Sequence, residues 1–205
     1  HRRWFKKHAP ESVTPDEHGV GFNSWHARPW HSEEHLHPTA WTMTRSLEFM
    51  REYDDSEDPF FLNISFARPH SPYVPPNHYF EKYMIKDLPL PHLGEWSAMH
   101  DDPVTAKNPS AWRGKMSDDE IRRARAGYYG SINFIDAQIG RLIQYLEVSG
   151  KAENTWILFS ADHGDMQGDH NLWRKTYAYE GSARIPFIVC PPLKGQTTVA
   201  RHEAE

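Results

Sequence analysis

The chain has 205 residues, and 23 Lys plus Arg stand against 28 Asp plus Glu for a net charge of -5 at pH 7. This mild, mixed balance leaves no polybasic footprint for nucleic acid, and no apolar run approaches the ~20 residues of a membrane span. The mean hydropathy of -0.78 is low for a compact enzyme, but 8 Trp, 9 Tyr and 10 Phe argue against disorder.

The length suits one domain with a sizeable core or part of a larger one. The chain opens His1-Arg2-Arg3-Trp4 with neither Met nor the apolar core of a signal peptide, which suggests processing, truncation or a fragment. Cys190 is the single cysteine, so no internal disulfide can form.

Residues 1–38 show no clear period and are broken by Pro10, Pro15, Pro29 and Pro38. Their centre, Phe22 to Trp30, is polar and aromatic. It reads either as a rim offering Trp25, Arg28 and Trp30 to a polar substrate such as a sugar, or as a loop wrapped on the surface of a larger protein. Spacing predicts a helix over 39–53, capped by Thr39. The acidic cluster at 54–58 reads as a solvated turn. Residues 59–66 (PFFLNISF) read as a buried strand ending in Ala67-Arg68-Pro69-His70-Ser71-Pro72-Tyr73, where two prolines can hold His70 in a fixed place. The sequon at Asn63 falls inside that strand and is discounted.

A short helix is expected near 78–84. The Pro-rich connection over 86–115 is too long for a bare link and suggests a lid or insertion, with Asp101-Asp102 as a candidate metal pair or a polar loop. Ser117-Asp118-Asp119-Glu120 is a capping box. It opens a long helix to about 148, with a bend near Gly127 or Gly130 and an apolar face of Ile132, Ile135, Ile139, Leu142, Ile143 and Leu146. Gly150 stops the helix. A right-handed strand–helix–strand crossover makes the strands at 59–66 and 156–159 parallel and puts His70 and Asp162 on one edge of the sheet.

The densest stretch is 154–192. The apolar run at 156–159 reads as a buried strand leading into Asp162-His163-Gly164. A carboxylate and an imidazole at a strand's C-terminal end can serve a metal, with oxygen for a hard cation and nitrogen beside it. Asp165 can brace the turn or act in the site. Asp169, His170, Arg174 and Lys175 follow before a second apolar run at 185–189. Cations beside a metal carboxylate suit a tetrahedral oxyanion such as sulfate or phosphate, or form a structural salt bridge.

Three ordered blocks carry a resemblance: 66–73 (FARPHSPY), 128–142 (YYGSINFIDAQIGRL) and 159–186, which includes FSADHGDMQGDH, WRK and YEGSARIP. Together they resemble the type I, formylglycine-dependent sulfatases of the alkaline phosphatase superfamily. The resemblance implies an α/β fold, alkaline-phosphatase-like, with a mostly parallel sheet sandwiched by helices, incomplete here. It implies that Asp162 and His163 bind Ca2+, that His70 protonates the leaving oxygen and that Lys175 holds sulfate oxygens. Read as residues, His170 and Arg174, with Trp25, Arg28 and Trp30, would suit binding of a sulfated sugar substrate. The expected partner is a small sulfate ester or a sulfated glycan, and the expected compartment is secreted, periplasmic or lysosomal.

One departure is large. No C/S-x-P-x-R motif, the source of formylglycine, occurs in the chain; Cys190-Pro191-Pro192-Leu193-Lys194 resembles it but follows the Asp162 block and ends in Lys. Cys190 therefore reads as a strand-end residue, and the nucleophile is expected in a missing N-terminal part. The chain reads as the C-terminal portion of one catalytic domain: a loop-rich segment and helix over 1–58, the core with the site loops over 59–192, and a tail over 193–205. The alternatives are a phosphodiesterase or phosphonate monoester hydrolase on the same scaffold, and a non-catalytic scaffold or binding module.

Overall fold

The computed structural model describes residues 1–56, 58–101, 108, 110–175 and 177–194. Asp102, half of the candidate acidic pair, and most of the 193–205 tail lie outside them. In order come α1 (Arg2–His8), α2 (Pro38–Glu52), α3 (Asn77–Met84), α4 (Asp118–Val148), β1 (Ile157–Ser160), α5 (Glu180–Ala183) and β2 (Phe187–Cys190). Short 3-10 turns sit at Glu34–Leu36, Glu95–His100, Lys151–Asn154 and Asp169–Asn171.

α4 is the platform. Both halves of its capping box form: Glu120 N donates to Ser117 Oγ at 3.4 Å, and Ser117 N donates to Glu120 Oε2 at 2.9 Å. It runs 31 residues without interruption, about 46 Å at the helical rise. The helix continues unbroken through both glycines. They admit close neighbours: a Cβ on Gly127 would lie 2.6 Å from Ala27 Cβ, and one on Gly130 3.0 Å from Tyr79 O. The buried stripe follows these small residues through Ala124, Gly127, Gly130, Ser131, Phe134 and Gln138. Ile132 and Ile143, expected on the apolar face, are exposed, because no described element packs on that side. Gly150 ends the run at φ 72°, a left-handed position that suits glycine.

The N-terminal segment is core. Phe5, Val20, Trp30, Leu36 and Val74 form one buried cluster. Trp25, Ala27, Tyr73, Phe80, Met116, Ala124, Ala126 and Trp173 form another. Residues 26–30 run parallel to 73–75: Arg28 N donates to Tyr73 O at 3.1 Å and Trp30 N to Pro75 O at 2.8 Å. Trp25 and Trp30 are therefore packing residues whose faces are not free for a sugar.

α2 begins one residue earlier than expected, at Pro38, whose fixed φ suits the first helical position. His37, not Thr39, is the cap. Its Nδ1 accepts from Thr39 N at 3.1 Å and its Nε2 donates to Val74 O at 3.1 Å. Burial, reinforced by the Arg68 charge, pushes its pKa down to about 3, so the imidazole is neutral.

The sheet differs most from expectation. β1 and β2 pair antiparallel, Ile157 opposite Cys190 and Ser160 opposite Phe187. Residues 59–66 run without ladder bonds among the described residues, so the expected parallel pairing does not form there. The buried strands are exposed instead: Trp156, Leu158, Phe187, Ile188 and Val189 face solvent, and Phe61 is 91% exposed. A central strand is buried only by layers on both faces, and no described element covers these.

Candidate active site

His70 sits in the loop between residues 66 and 73. Its Nδ1 lies 2.8 Å from Ser71 O. A carbonyl only accepts, so Nδ1 carries the proton and Nε2 presents its lone pair. That lone pair meets Lys175 Nζ at 2.6 Å. The Arg68 guanidinium donates to His70 O at 2.8 Å and to Ser71 O at 3.4 Å, fixing the backbone beneath the ring.

The His163 ring stands 6.0 Å from that of His70, edge to face. His163 Nδ1 donates to Gly164 O at 2.7 Å, which leaves Nε2 as the outward-facing ring nitrogen. Nε2 faces Asp162 Oδ2 at 3.6 Å, and the Asp162 side chain is 89% exposed. A proton or a cation between this ring nitrogen and the carboxylate oxygen satisfies both. The pair thus fits part of a metal shell. Calcium takes about six to eight ligands, and no group of three or more candidate ligands assembles among the described residues. Gly164 is required by close approach: its N donates to Ser182 O at 2.8 Å, and a Cβ would overlap Gly181 O.

Asp165 braces the loop. Oδ2 accepts from the buried Tyr73 hydroxyl at 2.9 Å, and Oδ1 accepts from Gln167 N and Arg174 N, both at 3.1 Å. Burial and then the Asp165 charge hold the Tyr73 phenol well above its ordinary range, so it stays a donor. Gln167, His170, Asn171 and Arg174 all have φ between 49° and 67°. Such left-handed non-glycine residues persist only where surroundings hold them.

Part of that hold comes from Arg125. Its Nη2 pairs with Asp169 Oδ1 at 2.8 Å with both side chains largely buried, Nε donates to Gln167 O at 3.0 Å, and Nη1 reaches Pro89 O. Sequence reading missed Arg125 as a site brace. Its one signal is a cation inside a stripe of alanines and glycines.

The structure brings His70, His163 and Lys175 together, with Asp162 beside them. It places His170 and Arg174 elsewhere. His170 Nδ1 accepts from Gly94 N at 3.2 Å, and its ring packs 4.3 Å from Trp96 and 5.3 Å from Tyr179. Arg174 Nη2 donates to Ser110 O. These two tie the 86–115 connection onto the site loop, as does the bridge between Arg113 and Leu172. Cys190 pairs with Ile157, at the end of the sheet opposite Asp162.

The sulfatase family profile matches residues 1–204. The chain belongs to the sulfatase family. Among sulfatase relatives, the arylsulfatase of Clostridium perfringens is 46% identical over 197 residues, covering 95% of this chain and 41% of its own length. The choline-sulfatase of Rhizobium meliloti is 33% identical over 149 residues, covering 71% and 29%. The solved phosphonate monoester hydrolase of Agrobacterium radiobacter superposes with a TM-score of 0.74 at 26% identity, over 93% of this chain and 42% of that one. The chain thus spans less than half the length of each of these proteins. The α/β, alkaline-phosphatase-like fold class is shown, and the small antiparallel sheet is the part of it described here.

Proposed function

We propose that this chain is part of the catalytic domain of a sulfuric ester hydrolase. The observation that carries the reading is the 2.6 Å contact between Lys175 Nζ and His70 Nε2, with the His163 ring 6.0 Å from the same imidazole. The Lys175 Nζ–H points at the His70 Nε2 lone pair, so the proton shared between the two is the one a leaving alkoxide oxygen can take, as general acid chemistry requires. The Lys175 charge also offsets that of a sulfate oxygen. Ser71 O holds the other ring nitrogen, and Asp165 fixes the backbone one residue before Lys175.

Asp162 and His163 would hold Ca2+ together with donors from outside this chain; when bound, the ion would stabilise negative charge on the ester oxygens. The formylglycine nucleophile would likewise come from outside the chain, since Cys190 lies at the wrong end of the sheet. A sulfated small molecule or glycan is the substrate class, and a secreted, periplasmic or lysosomal compartment fits such substrates. No described helix is long and apolar enough to cross a membrane.

The likeness to a phosphonate monoester hydrolase favours a second reading, because the same His–Lys pair suits phosphoryl oxygens. Release of sulfate and of phosphonate from matched esters by the complete enzyme separates the two. Lys175→Ala and His70→Ala each lower kcat for sulfate release by roughly 10²–10⁴-fold. Activity retained in both variants overturns the assignment.

A further inference from the structure

Phe22 is 80% exposed, yet its ring stacks on His70 at 6.1 Å between centroids and 24° between planes. A lone exposed apolar residue is ordinary. This one stands at the tip of a turn whose base is buried. Ser24 N donates to Gly21 O at 3.0 Å, and Asn23 takes φ 66°, closing a tight turn with Phe22 at its tip. Directly behind the tip, Ser24 is fully buried, and the buried Trp25 donates its indole N–H to Asn108 O at 3.3 Å. A Cβ on Gly21 would touch Ser110 Oγ at 3.9 Å, and Ser110 O accepts from Arg174. The turn is therefore seated between His70 and the Ser110–Arg174 contact.

Both nitrogens of His70 are engaged, one by Ser71 O and one by Lys175. The Phe22 ring stands beside the imidazole and nearly parallel to it. If the proton shared between Lys175 and His70 Nε2 passes to the departing oxygen, as the sulfatase reading holds, the organic part attached to that oxygen lies near whatever stands beside the ring. A braced apolar surface there adds contact at little ordering cost, which is the advantage of preorganisation.

We propose that Phe22 is a specificity-determining residue: it forms the apolar wall on which the leaving group packs, and it selects esters of flat or ring-shaped alcohols over short-chain ones. This rests on the reading of His70 as the proton donor. The test uses the complete enzyme and its Phe22→Ala and Phe22→Trp variants, with 4-nitrophenyl sulfate, a monosaccharide sulfate and a short alkyl sulfate.

Phe22→Ala lowers the kcat/KM ratio of the aryl and sugar esters over the alkyl ester about tenfold, mainly through KM, as expected for loss of one packed ring face. Phe22→Trp keeps the ratio. An unchanged ratio in Phe22→Ala overturns the proposal, as does a uniform fall in kcat with a displaced pH profile, which would make Phe22 merely a packing partner of His70. Should the unmodified enzyme release no sulfate from any ester, the sulfatase reading fails by itself. The same alcohols offered as phenylphosphonate esters then decide the role of Phe22 by the same ratio.

Discussion

The loop over 163–175 and the sheet of β1 and β2 adjoin in sequence but differ in how they are held. Each turn of the loop is fixed from within the chain: by Tyr73 and Asp165, by Arg125 and Asp169, and by the His70–Lys175 contact. Among the described residues the sheet is held by its own four-residue ladder, and its large apolar side chains face water. Polar site geometry can thus be complete locally where apolar layers are not. A loop needs a few directional partners, whereas a sheet needs whole covering faces.

Three measurements sharpen or break that contrast. The largest effect is expected at Arg125. Arg125→Ala leaves the Asp169 carboxylate buried without its cation and should cost about 3–5 kcal/mol in chemical denaturation. Adding Asp169→Asn, which removes the charge but keeps an acceptor for His92 N, should recover part of the loss. A cost below about 1 kcal/mol would mean that the loop does not depend on this pair.

His37 provides the next. Its folded pKa, about 3, lies below the unfolded value near 6.5. The unfolded chain therefore binds the proton first as pH falls. The stabilisation is whole above pH 6.5 and is lost at about 1.4 kcal/mol per pH unit on the way down toward pH 3. His37→Asn, which keeps a capping acceptor, should remove that slope in pH-dependent denaturation. The smallest effect belongs to the sheet. Leu158→Ser should change the stability of this chain by no more than about 0.5 kcal/mol. A cost of several kcal/mol would show that β1 is covered after all.

The parts of the fold that were legible in sequence are those encoded locally. The capping box at Ser117, the stop at Gly150 and the helices near 39–53 and 78–84 depend on neighbours within a few positions, and they form. The sheet was misjudged because strand pairing and burial depend on distant partners, which the run at 59–66 lacks among the described residues. The burial of Trp25 and Trp30 was hidden for the opposite reason: a proline-broken segment without a period reads as surface even when its aromatics fill the core.

In the site, the motifs marked His70, His163 and Lys175, and these converge. His170 and Arg174 lie in the same motif but turn to the 86–115 connection, since their left-handed backbones point them away from their neighbours. Arg125 lies outside the motifs, and Tyr73 closes the 66–73 block with no sign of its role as a brace, because one buried cation and one buried phenol look like any others until their partners are known.

The Tyr73–Asp165 bond has a consequence for the order of events during folding. It joins positions 92 apart, and the Arg125–Asp169 pair joins positions 44 apart. The length-dependent entropy of closing the larger loop is about 4 kcal/mol, more than one hydrogen bond returns. The brace therefore closes only after α4 has formed and packed on the N-terminal segment, shortening the path between its ends. On the ribosome, the Tyr73 phenol has neither Asp165 nor Gln167 to bond until the chain has emerged past position 167.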